Sequence, residues 1–197
     1  MNFAAFFSYV FLVTATPGPN NIMSMANAGK YGFKKSYRFN IGIFCGFMVV
    51  LSFCAAFASL LYGFIPTIKP AMLCIGAVYI LWLAFSIWRS DSHSDKTGLA
   101  QTNTLASGMV LQFVNIKLIL FGVTSMSSYV LPYHRSVPVL ALVVFCLSLF
   151  GFLVTCCWAL FGVVFDKLLK KHSKVLNAVM ALTLVYCAVS MVLEIWV

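Results

Sequence analysis

Long apolar runs, separated by short polar linkers, constrain this chain more than any other feature. Six runs reach the ~20 residues that a membrane-spanning helix needs: 3–27, 39–65, 70–89, 104–131, 137–163 and 174–196. Hydrocarbon offers no partner to backbone N–H and C=O groups, so spans of this kind become helices. Alternating ten-residue strands with polar inward faces are absent, which argues against an outer-membrane barrel. The predicted fold is an all-α integral membrane protein of six transmembrane helices, a single transporter-like domain over 1–197. Charge content agrees: 9% of residues are charged, against ~25% in a soluble domain.

The net charge of +9 does not point to nucleic acid, because the basic residues sit in a few short linkers. Ten of them flank the first, third and fifth linkers: Lys30, Lys34, Lys35, Arg38, Arg89, Lys96, Lys167, Lys170, Lys171 and Lys174. The second and fourth linkers hold Lys69 and Arg135. The positive-inside rule then puts the odd linkers in the cytoplasm and both termini outside, with anionic lipid as a partner of the basic residues. Tyr31, Tyr37 and Trp88 fall at the inner interface, and Tyr62, Tyr129, Tyr133 and Trp196 at the outer one. The N-terminal run reads as a retained span, not a signal peptide.

Span one is interrupted by Thr16-Pro17-Gly18-Pro19-Asn20-Asn21. Proline lacks the N–H and clashes with the preceding turn, so two prolines around a glycine break a helix. The freed carbonyls near Val13 and Thr14 need partners, and the broken segment must face protein or a water-filled cavity. Beyond it the chain restarts as a short helix with unpaired N–H groups and a positive dipole end, suited to a carboxylate. Asn20 or Asn21 either caps that restart or meets a ligand.

Span four carries Gln112-Phe113-Val114-Asn115-Ile116-Lys117. A lysine at the membrane centre costs ~2.5–3.5 kcal/mol on insertion scales and is a functional hypothesis by default. Alternatively, Lys117 donates to the orphan carbonyls of the first break and holds the fold. By depth the two motifs form one mid-membrane site: Pro17, Gly18, Pro19, Asn20, Asn21, Gln112, Asn115 and Lys117. An ammonium, a positive helix end and carboxamides suit a small carboxylate-bearing solute such as an amino acid. No carboxylate lies mid-membrane: Asp91, Asp95 and Asp166 are in linkers and Glu194 is near an outer end. His93, His134 and His172 lie in loops or at interfaces.

The seven cysteines all lie in apolar runs without a C-x-x-C motif, so they read as packing residues. No metal site or cofactor is expected. Gly42-x-x-x-Gly46 reads as a close helix contact. The polar interruptions fall in spans one and four, the first span of each half, which suggests a 3+3 inverted repeat, 1–98 and 99–197, as in many transporters. Ala77-Val78-Tyr79 against Leu184-Val185-Tyr186, and Gly46 against Gly151, are faint matches between the halves.

With these motifs the chain resembles the LysE/RhtB superfamily of amino-acid exporters over its whole length. The stretches Leu111–Thr124, Cys157–Gly162 and Leu176–Ser190 look like the cysteine/O-acetylserine exporter subgroup. The resemblance implies a multi-pass inner-membrane exporter of cysteine and O-acetylserine, with homoserine or threonine as alternative substrates. Two positions depart from the superfamily pattern. Ile116 stands where many members have proline, and Phe47 where many have aspartate.

The residues themselves leave other classes to weigh. No nucleotide-binding motif appears, so a gradient must drive secondary transport unless a partner ATPase exists. A membrane thiol oxidoreductase would need cysteines in spans one and four, which have none. A non-transporting subunit gives a polar mid-membrane site no purpose. A homo-oligomer is compatible with the sequence.

Overall fold

The structure is a computed structural model that describes residues 2–89, 102–168 and 173–193, with backbone alone over 58–69 and at 167, 168 and 173. Asp91, His93, Asp95, Lys96, Lys170, Lys171, His172, Glu194 and Trp196 lie outside the described residues, as do the side chains of Tyr62 and Lys69. Helices α1 (Phe3–Ala15) and α2 (Pro19–Tyr31) flank the first break, and α3 (Phe33–Trp88) follows. Helices α4 (Leu105–Val114) and α5 (Ile116–Thr124) flank a second break, and a π-helical turn, Ser125–Val130, extends α5. Helices α6 (Val137–Leu168) and α7 (Ser173–Leu193) complete the order. The described residues contain no strand.

Four helical stretches are long and apolar enough to cross a membrane alone: Phe33–Phe57, Pro70–Trp88, Val137–Asp166 and Lys174–Leu193. The α4–α5 pair, bent by 65°, makes a fifth. Helix α1 is apolar, but its 13 residues reach only ~20 Å at 1.5 Å per residue.

Two boundaries differ from the sequence expectation, and a third agrees with it. The linker expected at 28–38 shrinks to Gly32, whose φ of +78° suits glycine and lets α3 start at once after α2. The turn expected at 66–69 has helical backbone, and the non-helical dihedrals fall at Phe57 (φ −120°, ψ 21°). The turn expected at 132–136 is present, with Tyr133 and His134 donating their N–H groups to the Val130 carbonyl.

Polarity is arranged for a lipid surround. Phe3, Phe7 and Phe11 of α1, Leu142 and Leu153 of α6 and Leu182 of α7 point outward, while Asn20, Asn21, Asn27, Asn40, Gln112 and Asn115 are buried. Helix α2 is the centre of the molecule: every residue from Pro19 to Ala28 is buried. Lipid gives apolar faces no reason to associate, so close van der Waals packing must hold the helices together. Glycine allows it. A Cβ at Gly42 would fall on the Leu105 carbonyl, one at Gly108 on the Phe39 carbonyl, and one at Gly46 would lie 2.5 Å from Gln112 Cγ. The expected Gly42/Gly46 contact is therefore the α3–α4 seam. A second seam joins α2 and α6, where Gly162 meets the Met25 carbonyl and Gly29 meets the Gly162 carbonyl.

Candidate substrate site

Helix α1 ends at Ala15, Thr16 to Gly18 are non-helical, and Pro19 takes the first position of α2, where its missing N–H breaks no bond. Gly18 is the N-cap of α2 and no side chain caps it, so neither Asn20 nor Asn21 has the capping role considered for it. Their carboxamides turn elsewhere, because the breaks leave groups with greater need. The end of α1 is satisfied locally and across the break. Thr16 N–H donates to Leu12 O and Thr16 Oγ1 to Val13 O. Asn21 Nδ2 donates to Thr14 O (2.8 Å) and Thr16 O (2.9 Å). Lys117 Nζ donates to Thr16 O (3.2 Å) and Thr16 Oγ1 (2.8 Å). The lysine thus does hold the break, as one of the two readings required.

The second break occurs without proline. Asn115 (φ −85°, ψ 89°) ends α4 and opens α5. Its side chain donates from Nδ2 to Asn20 Oδ1 at 3.2 Å. Gln112 Nε2 donates to the same Asn20 oxygen (3.0 Å) and to Gly108 O (2.8 Å), while Asn20 Nδ2 donates to Gln112 Oε1 (2.8 Å). Asn20 therefore ties both breaks together.

Electrostatically, the breaks place two helix N-termini, those of α2 and α5, beside one ammonium. Each end carries about half a positive charge from its unpaired N–H groups. A Cβ on Gly18 would approach Lys117 Nζ to 3.2 Å, so glycine lets the ammonium lie against the start of α2.

Two cavities adjoin this arrangement. One, of about 40 Å³, is lined by Asn20, Asn21 and Thr14 with Phe47, Gly151 and Thr155. The other, of about 600 Å³, lies between α1, α5 and α7 and is lined by Tyr9, Thr16, Pro17, Tyr186, Cys187 and Ser190. The exposure of Leu12 and Tyr186 brings the second cavity to the molecular surface. Val13, Gly18, Pro19, Asn115, Lys117 and Phe121 line both, forming a septum. The small cavity has room for water but not for an amino acid, whereas the large one falls in the ~300–1,000 Å³ range of ligand pockets.

Of the residues singled out in the sequence, Pro17, Gly18, Pro19, Asn20, Asn21, Asn115 and Lys117 line one or both cavities. Gln112 lines neither and serves as a strut for Asn20. Sequence reasoning missed Thr16 as a partner of Lys117, although it stood in the motif. It also missed Cys187 and Ser190, which carry no local signal that separates them from packing residues. Phe47 packs its ring on Gly151, within 2.7 Å of where a Cβ would lie. All the cysteines are free among the described residues.

An all-helical apolar chain whose two interrupted helices meet at a polar site beside a cavity defines a multi-pass membrane transporter. The comparisons place it more narrowly: the chain belongs to the LysE type translocator family, matched over residues 11–195. It is 39% identical over 188 residues to the cysteine/O-acetylserine efflux protein of Escherichia coli O1:K1 / APEC, covering 94% of this chain and 95% of that one. It is 38% identical over 187 residues, with the same coverage, to the proteins of that name from Escherichia coli strain K12 and Shigella flexneri. No solved structure matches the chain.

Proposed function

We infer that this protein exports small amino acids, cysteine and O-acetylserine foremost, across the bacterial inner membrane by gradient-driven alternating access. The observation that carries the reading is the convergence of the α2 and α5 N-termini with Lys117 on the inner wall of the 600 Å³ cavity. A substrate carboxylate would take the place of Thr16 on Lys117 and meet the unpaired N–H groups of α2 or α5. Its ammonium would meet carbonyls that the breaks release. Pro17, Gly18, Pro19, Asn115 and Lys117 form the contact surface, while Asn20, Asn21 and Gln112 hold its shape. The names of the relatives support the substrate choice.

In this reading α1, the break and α2 together make the first of six crossings, and both termini lie outside. The element order supports a 3+3 inverted repeat: each half opens with a broken helix and continues with two long apolar stretches. Counterflow in proteoliposomes with a panel of amino acids, with and without a pH gradient, tests it. Exchange of cysteine and O-acetylserine is expected. Exchange of homoserine or threonine alone would move the substrate class, and no exchange of any amino acid would overturn it.

A further inference from the structure

Helix α2 presents Asn20, Ser24, Asn27 and Tyr31 at i, i+4, i+7 and i+11, a single stripe on one face of the helix. The first three are buried, and the stripe spans ~16 Å at 1.5 Å per residue. Its partners lie on α3, on α4 and just before α4. Asn20 pairs with Gln112, and Ser24 Oγ donates to Asn40 Oδ1 at 2.9 Å. Asn27 Nδ2 donates to Thr102 O and Thr102 Oγ1 to Asn27 Oδ1, both at 3.4 Å. The Tyr31 hydroxyl is shielded from solvent and has no hydrogen-bond partner among the described residues. The opposite side of α2 differs: there Met25 and Gly29 meet Gly162 of α6 backbone to backbone, with no space between.

Stability does not ask for such a polar seam. Replacing both partners of a buried hydrogen bond by apolar groups of the same shape is nearly neutral. A seam of hydroxyls and carboxamides has another property: its groups can exchange partners with water or with a polar solute when the helices part. A glycine seam cannot, since its contacts are carbonyl against Cα. The wide cavity reaches the septum from the α1, α5 and α7 side, and the polar stripe leaves it on the other side toward Lys30, Lys34 and Lys35.

We propose that the seam between α2 and the α3–α4 pair is the closed cytoplasmic half of the transport route, and that Ser24, Asn27 and Asn40 line it when it opens. The direction of the route rests on the topology proposed above. The structure is then one end state, open from the terminal side and shut along the seam.

Single cysteines in a background lacking the seven native ones test this. Ser24→Cys on the seam is compared with Met25→Cys, one residue on and facing α6. Both are labelled in inside-out and right-side-out vesicles with an impermeant maleimide, with O-acetylserine present. The expected result is labelling of Ser24→Cys at least about tenfold faster than Met25→Cys, from the cytoplasmic face only. Equal rates, or labelling of Ser24→Cys only from the outer face, overturn the proposal. Asn27→Cys against Ala28→Cys repeats the comparison further along the helix, so failure of one variant to insert leaves a decisive pair. O-acetylserine export by the cysteine-free parent is measured separately. Single-cysteine variants that label as expected in a parent that does not export sink the export reading and leave the seam, and the reverse result sinks the seam alone.

Discussion

Replacing Asn20 by alanine tests the node at which the two breaks meet. Its carboxamide shares three hydrogen bonds with Gln112 and Asn115, at 2.8, 3.0 and 3.2 Å. Truncation deprives Gln112 Oε1 and Asn115 Nδ2 of these partners, while Gln112 Nε2 keeps the Gly108 carbonyl. An orphaned buried polar group costs ~1–3 kcal/mol, yet hydrogen bonds between membrane helices average only ~0.6 kcal/mol. The cavity of about 40 Å³ beside Asn20 has room for a water, which favours the smaller figure. Three bonds at that value give a loss of about 2 kcal/mol. Gln112→Ala breaks two of the same three bonds, so the double variant is predicted to be ~1 kcal/mol more stable than the sum of the singles. The assay is unfolding of purified protein in mixed micelles titrated with dodecyl sulfate. Strict additivity would refute the Asn20–Gln112 pairing, and a loss below ~0.5 kcal/mol for Asn20→Ala would refute its role as the tie.

Three further outcomes are expected. Gly108→Ala drives a Cβ into the Phe39 carbonyl and is predicted to cost ~1–3 kcal/mol, read as a lowered thermal unfolding temperature in detergent. Thr16→Val removes the closer of the two acceptors on Lys117. A substrate carboxylate then has less to displace, and the apparent KM of O-acetylserine counterflow is predicted to fall roughly fivefold, the equivalent of a ~1 kcal/mol hydrogen bond. An unchanged or raised KM would mean that the carboxylate does not bind Lys117. A variant with all seven cysteines replaced by alanine or serine is predicted to keep export in proteoliposomes, whereas its loss without unfolding would revive a thiol mechanism.

Much of this site is legible in the sequence because proline and glycine act locally. Pro17-Gly18-Pro19 can only interrupt a helix, and Lys117 inside an apolar run must find acceptors, which the freed end of α1 supplies. The glycines of α3 announce close packing for the same local reason. The second break is not legible in this way. Asn115 and Ile116 would continue a helix on propensity alone, and the observed bend goes with the long-range bond to Asn20. The restart of the chain as a short helix, α2, is legible from the break, but its complete burial is not. Asn20, Ser24 and Asn27 of its polar stripe fall within the first apolar run, and nothing in the sequence says that α3, α4 and α6 close around it. Cys187 and Ser190 face the wide cavity because α7, packed on α3, stands across that cavity from α5.

The central claim is that Lys117, lying against the start of α2, receives the substrate carboxylate. The most direct measurement is O-acetylserine counterflow by Lys117→Ala in proteoliposomes, alongside its thermal unfolding in detergent. A charge-assisted hydrogen bond contributes ~1.5–3 kcal/mol, so exchange is predicted to drop at least about tenfold, while the protein still inserts and unfolds cooperatively. Exchange at the wild-type rate by a folded Lys117→Ala protein would contradict the account, leaving the lysine only its hold on Thr16.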